Sequence, residues 1–375
     1  MRDLAVDRLP LALPDLTGNE EQYVVDAIRS TWISSTGLYV DRFEHEFAEF
    51  CQTRTAITVA NGTAALHLAL LALEVVPGDE VILPSLTYVA TANAVRYVGG
   101  EPVFVDIDPR TWCIDPAAIE EAITPRTRGI IAVHLYGHPS DMDQINAIGE
   151  RHGLWVVEDA AEAHGARYRG RPAGGLATIG TFSFYGNKIL TSGEGGALTV
   201  NDPQLERRIR LFRGQGMDPQ RRYFFPVVGY NYRLTNIACA LLCAQLERWG
   251  ELAAKRATIF DEYRRHLAGT AGIGLQPRAE WATPADWLFC VTVDEQRFGL
   301  SRDELAARLD SASIETRPFF VPLHQLPPYE GRAGSPRHLP VTEALAASGL
   351  NLPTSTVMSL ADVERVAREI ERARA

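Results

Sequence analysis

The chain has 375 residues, 46% of them hydrophobic and 22% charged, a balance that excludes a disordered chain and calls for a large domain with a smaller companion. Asp and Glu (47) outnumber Lys and Arg (37), for a formal charge of -10, which argues against a nucleic-acid-binding surface. No apolar run is long enough to cross a bilayer, and residues 1–7 carry acids without a continuous apolar stretch, so no signal peptide is expected and a cytoplasmic location is.

After a lead containing Pro10 and Pro14, Thr17-Gly18-Asn19-Glu20 offers a helix start, and Val24, Val25 and Ile28 follow at helical spacing. A second helix is expected over residues 40–51, with Phe43, Phe47 and Phe50 on one face. Residues 56–60 read as a buried strand, and Asn61-Gly62-Thr63 opens a strongly helical run over 64–73. The N–H groups and positive dipole end of that helix suit an anion such as a phosphate, with Gly62 allowing close approach. An ordinary capped helix, with Asn61 or Thr63 as the cap, fits the same residues.

Strand and helix then alternate. Strands are expected at 80–83, 102–105, 129–133 and 154–158, and helices at 88–98, 116–122 and 142–152. Repeated units with near-continuous apolar strands imply a mostly parallel sheet covered on both faces. Ligands in such sheets bind beyond the carboxyl ends of the strands. Asn61-Gly62-Thr63, Ser85-Leu86-Thr87-Tyr88, His134-Leu135-Tyr136-Gly137 and Asp159-Ala160-Ala161-Glu162 all fall there. The glycine pattern G-x-G-x-x-G is absent from the first turn, which argues against a nicotinamide dehydrogenase.

Further along, residues 210–232 read as a polar, irregular loop with Arg221 and Arg222, and 235–266 as a long helical stretch. A strand at 288–293 and helices at 302–309 and 361–373 close the chain. The five cysteines form no C-x-x-C pair, so neither a zinc knuckle nor a redox motif is indicated. Cys239 and Cys243 read as buried free thiols in a helix. His134 and His138 have helical ligand spacing, but Gly137 and Pro139 make the segment a loop, and no metal site is expected.

Two side chains carry the chemistry. Lys188 lies between an apolar run and the glycine-rich turn Gly193-Glu194-Gly195-Gly196. A lysine there can bond to a carbonyl cofactor if burial or a neighbouring charge lowers its pKa, although a surface lysine in a hairpin loop has the same pattern. Asp159 ends a buried strand, either as a helix cap or as an acid able to pair with a protonated pyridine nitrogen.

Four motifs in this order resemble the DegT/DnrJ/EryC1/StrS family of pyridoxal-phosphate (PLP) sugar aminotransferases. They are Ala60-Asn61-Gly62-Thr63-Ala64-Ala65-Leu66, Val157-Glu158-Asp159-Ala160-Ala161-Glu162, the run from Phe182 to Gly196, and Gly229-Tyr230-Asn231-Tyr232-Arg233-Leu234-Thr235. The resemblance covers nearly the whole chain. It implies an α/β fold type I PLP-dependent aminotransferase, with a mostly parallel central sheet, helices on both faces and a smaller C-terminal α+β domain. A large cofactor domain over 1–245 and a small domain over 246–375 are expected.

By the same resemblance, Lys188 would be the Schiff-base lysine and proton carrier, Asp159 the partner of the pyridine nitrogen, and Glu162 a hydrogen-bond partner near the ring oxygen. Tyr88 would stack on the ring, and Gly62, Thr63 and Ser183 would hold the phosphate. Asn231 would reach that phosphate from a neighbouring subunit, implying a homodimer with shared active sites. Arg317, His324 and Arg233 would lie near the substrate, and Arg213, Arg221 and Arg222 are further candidates for a diphosphate. Family members with histidine in place of the lysine act as dehydratases, so Lys188 implies full transamination. The implied reaction moves an amino group from L-glutamate to C4 of a nucleotide sugar, GDP-4-keto-6-deoxymannose. The alternatives are a C3 aminotransferase of a dTDP, UDP or GDP keto sugar, a cyclitol aminotransferase, or a non-catalytic PLP-binding regulatory protein.

Overall fold

The apolar runs form one seven-stranded sheet. Its spatial order is Thr55–Val59, Gly196–Val200, Ile179–Ser183, Trp155–Asp159, Thr127–Val133, Glu80–Pro84 and Glu101–Val105. Gly196–Val200 is antiparallel to both of its neighbours, Thr55–Val59 and Ile179–Ser183; the five strands from Ile179–Ser183 to Glu101–Val105 pair in parallel. This is the mostly parallel α/β sheet that the alternation of strand and helix predicts. The computed structural model describes residues 8–332 and 334–374, so the expectation for residues 1–7 lies outside the described residues.

Sequence order explains how the sheet is covered. The helix Gly62–Ala72 is apolar nearly all round and has eight buried residues, because it lies between the sheet and the helices Ala90–Tyr97 and Pro203–Arg213. Asn61 caps it, accepting the Ala64 N–H at 2.9 Å. On the other side, the helix Leu38–Phe50 sets Phe43 and Phe47 edge-on against Phe182 and Phe184, with centroids 4.9–5.4 Å apart. Burying each such ring stabilises the fold by about 1.5–3 kcal/mol. That packing fixes the strand which leads into Lys188.

A buried carboxylate locks the neighbouring strand end. Glu158 is fully buried and accepts N–H groups from Gly174, Leu176 and Ala177 at 2.7–3.1 Å. It also bonds to His134 Nε2 at 3.0 Å. Three backbone donors and a ring offset the desolvation of the charge, and they tie the loop after residue 172 to the strand that ends in Asp159.

The remainder of the chain contributes an antiparallel four-stranded sheet, ordered Ile273–Leu275, Phe289–Val293, Gly349–Leu352, Arg317–Pro318. Several expectations shift here. Residues 235–266 form two helices, Asn236–Glu247 and Trp249–Leu267, that meet at Arg248. Residues 245 and 246 lie inside the first of them. Arg210 to Arg213 are not loop but the last turn of the helix Pro203–Arg213. The helix expected from Tyr88 starts at Ala90. No helix follows Asp159, so it is not a helix cap; the chain turns there before the short strand Arg167–Tyr168. No helix among the described residues is long and apolar enough to cross a membrane.

Candidate active site

The carboxyl ends of the parallel strands open into a cavity of about 510 Å³, a size typical of small-molecule sites. One end is walled by Gly62, Thr63 and Ser183. The N–H groups of Gly62 and Thr63 belong to a first helical turn and have no intrahelical acceptor. A Cβ on Gly62 would come within 2.8 Å of the Ser183 Cβ, so glycine keeps helix and strand close enough to form one cradle.

Lys188, Glu162 and Asp159 line the cavity wall beyond that cradle. The lysine sits on a tight turn, its N–H bonded to the Tyr185 carbonyl at 2.8 Å. Its Nζ is 3.9 Å from Glu162 Oε1, and the two side chains are only 11% and 7% exposed. Glu162 Oε2 accepts the Tyr136 N–H at 2.7 Å. Burial favours the neutral form of both partners. It lifts Glu162 to about 7, opposed by the Lys188 charge, and lowers Lys188, opposed by Glu162 and Asp159. An amine of this kind is a better nucleophile near neutral pH than a solvated lysine.

Asp159 is buried and takes two neutral donors, the Thr91 hydroxyl at 2.7 Å and the Ala161 N–H at 3.3 Å. Burial pushes its carboxyl upward in pKa, with the Thr91 bond working against that. Tyr88 and Arg317 stand at the mouth, both exposed and both lining the cavity.

Eight residues singled out in the sequence thus meet in one place. Three others do not. Asn231 and Arg233 are exposed on the segment after residue 228 and do not line the cavity. His324 is buried away from it, with Nδ1 on the Ser85 hydroxyl at 2.7 Å and Nε2 on Glu343 at 3.1 Å. Both ring nitrogens are engaged, so His324 ties a loop to the strand end. Arg213 is likewise turned inward, onto Glu44 and the Thr58 carbonyl at 2.8 Å. Arg221 and Arg222 lie over Phe224 and Tyr223 on the surface. His138 Nδ1 is 2.8 Å from the Pro139 carbonyl oxygen, and His134 serves Glu158.

Trp287 and Thr91 were not singled out, yet both line the cavity. Thr91 stands three residues after Tyr88, where helical spacing from a strand-end motif would have drawn attention to it. Trp287 lies two residues before the strand Phe289–Val293 in the second half of the chain, and its sequence carries no corresponding signal.

These groups fit PLP. The cofactor needs anion donors without bulk for its phosphate, an acid at its pyridine nitrogen and an amine at its aldehyde. The cradle around Gly62, the buried Asp159 and the buried Lys188 supply those in one cavity.

The chain belongs to the DegT/DnrJ/EryC1/StrS aminotransferase family, whose model matches residues 14–371. It is 49% identical over 368 residues to the GDP-perosamine synthase of Caulobacter vibrioides, covering 97% of this chain and 98% of that one. It is also 43% identical to the GDP-perosamine synthase of Escherichia coli O157:H7, covering 94% of each. Among solved structures it resembles Streptomyces venezuelae DesV, with a TM-score of 0.91, 38% identity and 98% of both chains covered. DesI, solved in the presence of its TDP-sugar product, matches with a TM-score of 0.91 and 34% identity over 98% of this chain and 93% of that one. The chain is an aminotransferase with the fold of those proteins.

Proposed function

We propose that the chain is a PLP-dependent aminotransferase of the GDP-perosamine synthase type, which places an amino group on C4 of GDP-4-keto-6-deoxymannose and draws it from L-glutamate. The observation that carries this reading is end-to-end identity of 40–49% with three GDP-perosamine synthases. A C3 aminotransferase reading has a shorter match, 42% identity over 84% of this chain to a dTDP-3-amino-3,4,6-trideoxy-alpha-D-glucose transaminase.

When bound, PLP supplies the aldehyde that takes up an amino group and the electron sink that stabilises charge at the reacting carbon. The chain's residues do the rest. Gly62 and Thr63 N–H groups and the Ser183 hydroxyl would hold the phosphate. Asp159 would keep the ring nitrogen protonated, oriented by Thr91 at 2.7 Å. Glu162, fixed by the Tyr136 N–H, would face the ring oxygen. Tyr88 would cover the ring, and Arg317 at the mouth would bind an anionic group of the substrate. Lys188 would hold a proton on Nζ and move it at the reacting carbon, which its burial and lowered pKa favour.

Asn231 and Arg233 lie outside this chain's cavity, which supports their serving the site of a second copy in a homodimer. Exposed Trp32, Leu38, Tyr223, Phe225 and Val228 are apolar surface available for that association. All five cysteines are free, which agrees with a cytoplasmic setting.

The experiment supplies purified, PLP-loaded protein with L-glutamate and either GDP-4-keto-6-deoxymannose or dTDP-4-keto-6-deoxyglucose, and reads products by mass spectrometry. Amination of the GDP sugar is expected. Amination of the dTDP sugar alone would overturn the nucleotide assignment, and turnover of neither would overturn the reading.

A further inference from the structure

The Lys188 amine has a second neighbour besides Glu162. Its Nζ lies 4.0 Å from the centroid of the Trp287 ring. The indole N–H donates to the Asn187 carbonyl at 2.7 Å, so one side chain both faces the amine and grips the residue before it. Trp287 is 2% exposed.

The segment bearing Trp287 is held from several sides. The Ala285 N–H donates to the Gly137 carbonyl at 3.0 Å. Asp286 has a left-handed backbone, φ 50°, a conformation that persists in a non-glycine residue when its surroundings over-determine it. Its carboxylate meets Arg278 at 2.6 Å. The buried Arg256 donates to the Trp287 carbonyl at 2.7 Å. An indole that merely walled the cavity would need neither its face toward the amine nor a hydrogen bond into the lysine turn.

We propose that Trp287 is a positioning residue for the Lys188 amine: its face seats the protonated amine whenever that amine is not bonded to the cofactor, and its N–H fixes the turn that aims it. The proposal rests on Lys188 being the catalytic lysine. An ammonium over an indole face is attracted by the ring quadrupole, and more strongly where water is excluded. The charged groups that act on the amine are Glu162 at 3.9 Å, together with Asp159 and Arg317, and His164 is held neutral behind it, lowered by burial to about 3. Glu162 and Asp159 favour the charged amine; burial and Arg317 oppose it. The ring adds to the first side without adding a charge, so the amine can release its proton without leaving another anion stranded in the cavity.

The test uses full-length protein carrying the amino form of the cofactor, in which the lysine is free. Trace acetylation of Lys188 by acetic anhydride is followed against pH by peptide mass spectrometry in the wild type, Trp287→Phe and Trp287→Leu. The midpoint is expected to fall by about one pH unit in Trp287→Leu and about half that in Trp287→Phe. The acidic limb of the transamination pH profile should move the same way, whereas a structural role would lower activity evenly at every pH. Unchanged or raised midpoints would overturn the proposal. Should Trp287→Leu fail to fold by circular dichroism, Trp287→Phe, which keeps an aromatic face, decides alone. Activity surviving in Lys188→Ala would instead overturn the lysine assignment, so the two failures are distinguishable.

Discussion

Replacing Glu162 with glutamine should stabilise the cofactor-free protein at alkaline pH and leave it unchanged at acid pH. Glu162 is buried, and its carboxyl is lifted from an ordinary 4.5 to about 7, chiefly by burial. The folded state therefore binds a proton between those values that the unfolded chain releases. Stability is fully present below pH 4.5 and is lost as pH rises to about 7. At about 1.4 kcal/mol per pH unit, that gap amounts to roughly 3 kcal/mol. Glutamine has the same shape, can still accept the Tyr136 N–H with its carbonyl, and never ionises. The gain is tempered because Lys188 loses a carboxylate that favours its charged form. Urea unfolding of both proteins at one fixed concentration, from pH 4.5 to 8.5, measures the difference. It should grow from near zero to about 2–3 kcal/mol across that range. A difference constant with pH, or one that favours the wild type increasingly as pH rises, would refute the reasoning.

Asp159→Asn should reduce turnover of the keto sugar by at least about 100-fold, since the residue then carries no charge to hold a pyridine proton. Thr91→Val, which removes only the hydroxyl on Asp159, should cost about tenfold in cofactor affinity, read by equilibrium dialysis. Glu158→Ala strands three backbone N–H groups and His134 in a fully buried site. It should lower unfolding free energy by about 3–5 kcal/mol in urea titrations, and a loss near zero would contradict the anchoring role of that carboxylate.

Several strands were legible because they are short apolar runs buried on both faces, and their alternation with helices implied a mostly parallel sheet. The cavity was legible because Gly62, Asp159 and Ser183 sit at or just beyond strand ends, where a parallel sheet gathers its polar groups. The break at Arg248 was read over: no proline marks it, and Gly250, two residues on, is the weak helix former beside it. The directions of Arg213 and His324 were not legible for a related reason. Sequence shows that a side chain is polar, but its direction depends on partners distant in the chain, Glu44 for one and Ser85 for the other. Trp287 depends on a contact about a hundred residues away in sequence, with Asn187; no local pattern encodes that.

The most direct test of the central claim follows the nitrogen. L-Glutamate carrying heavy nitrogen in its amino group is incubated with GDP-4-keto-6-deoxymannose and the PLP-loaded protein, and the sugar product is examined by nuclear magnetic resonance. Label bonded to C4 of the GDP-linked sugar is the predicted result. Label at C3, or a sugar product without it, would contradict the account.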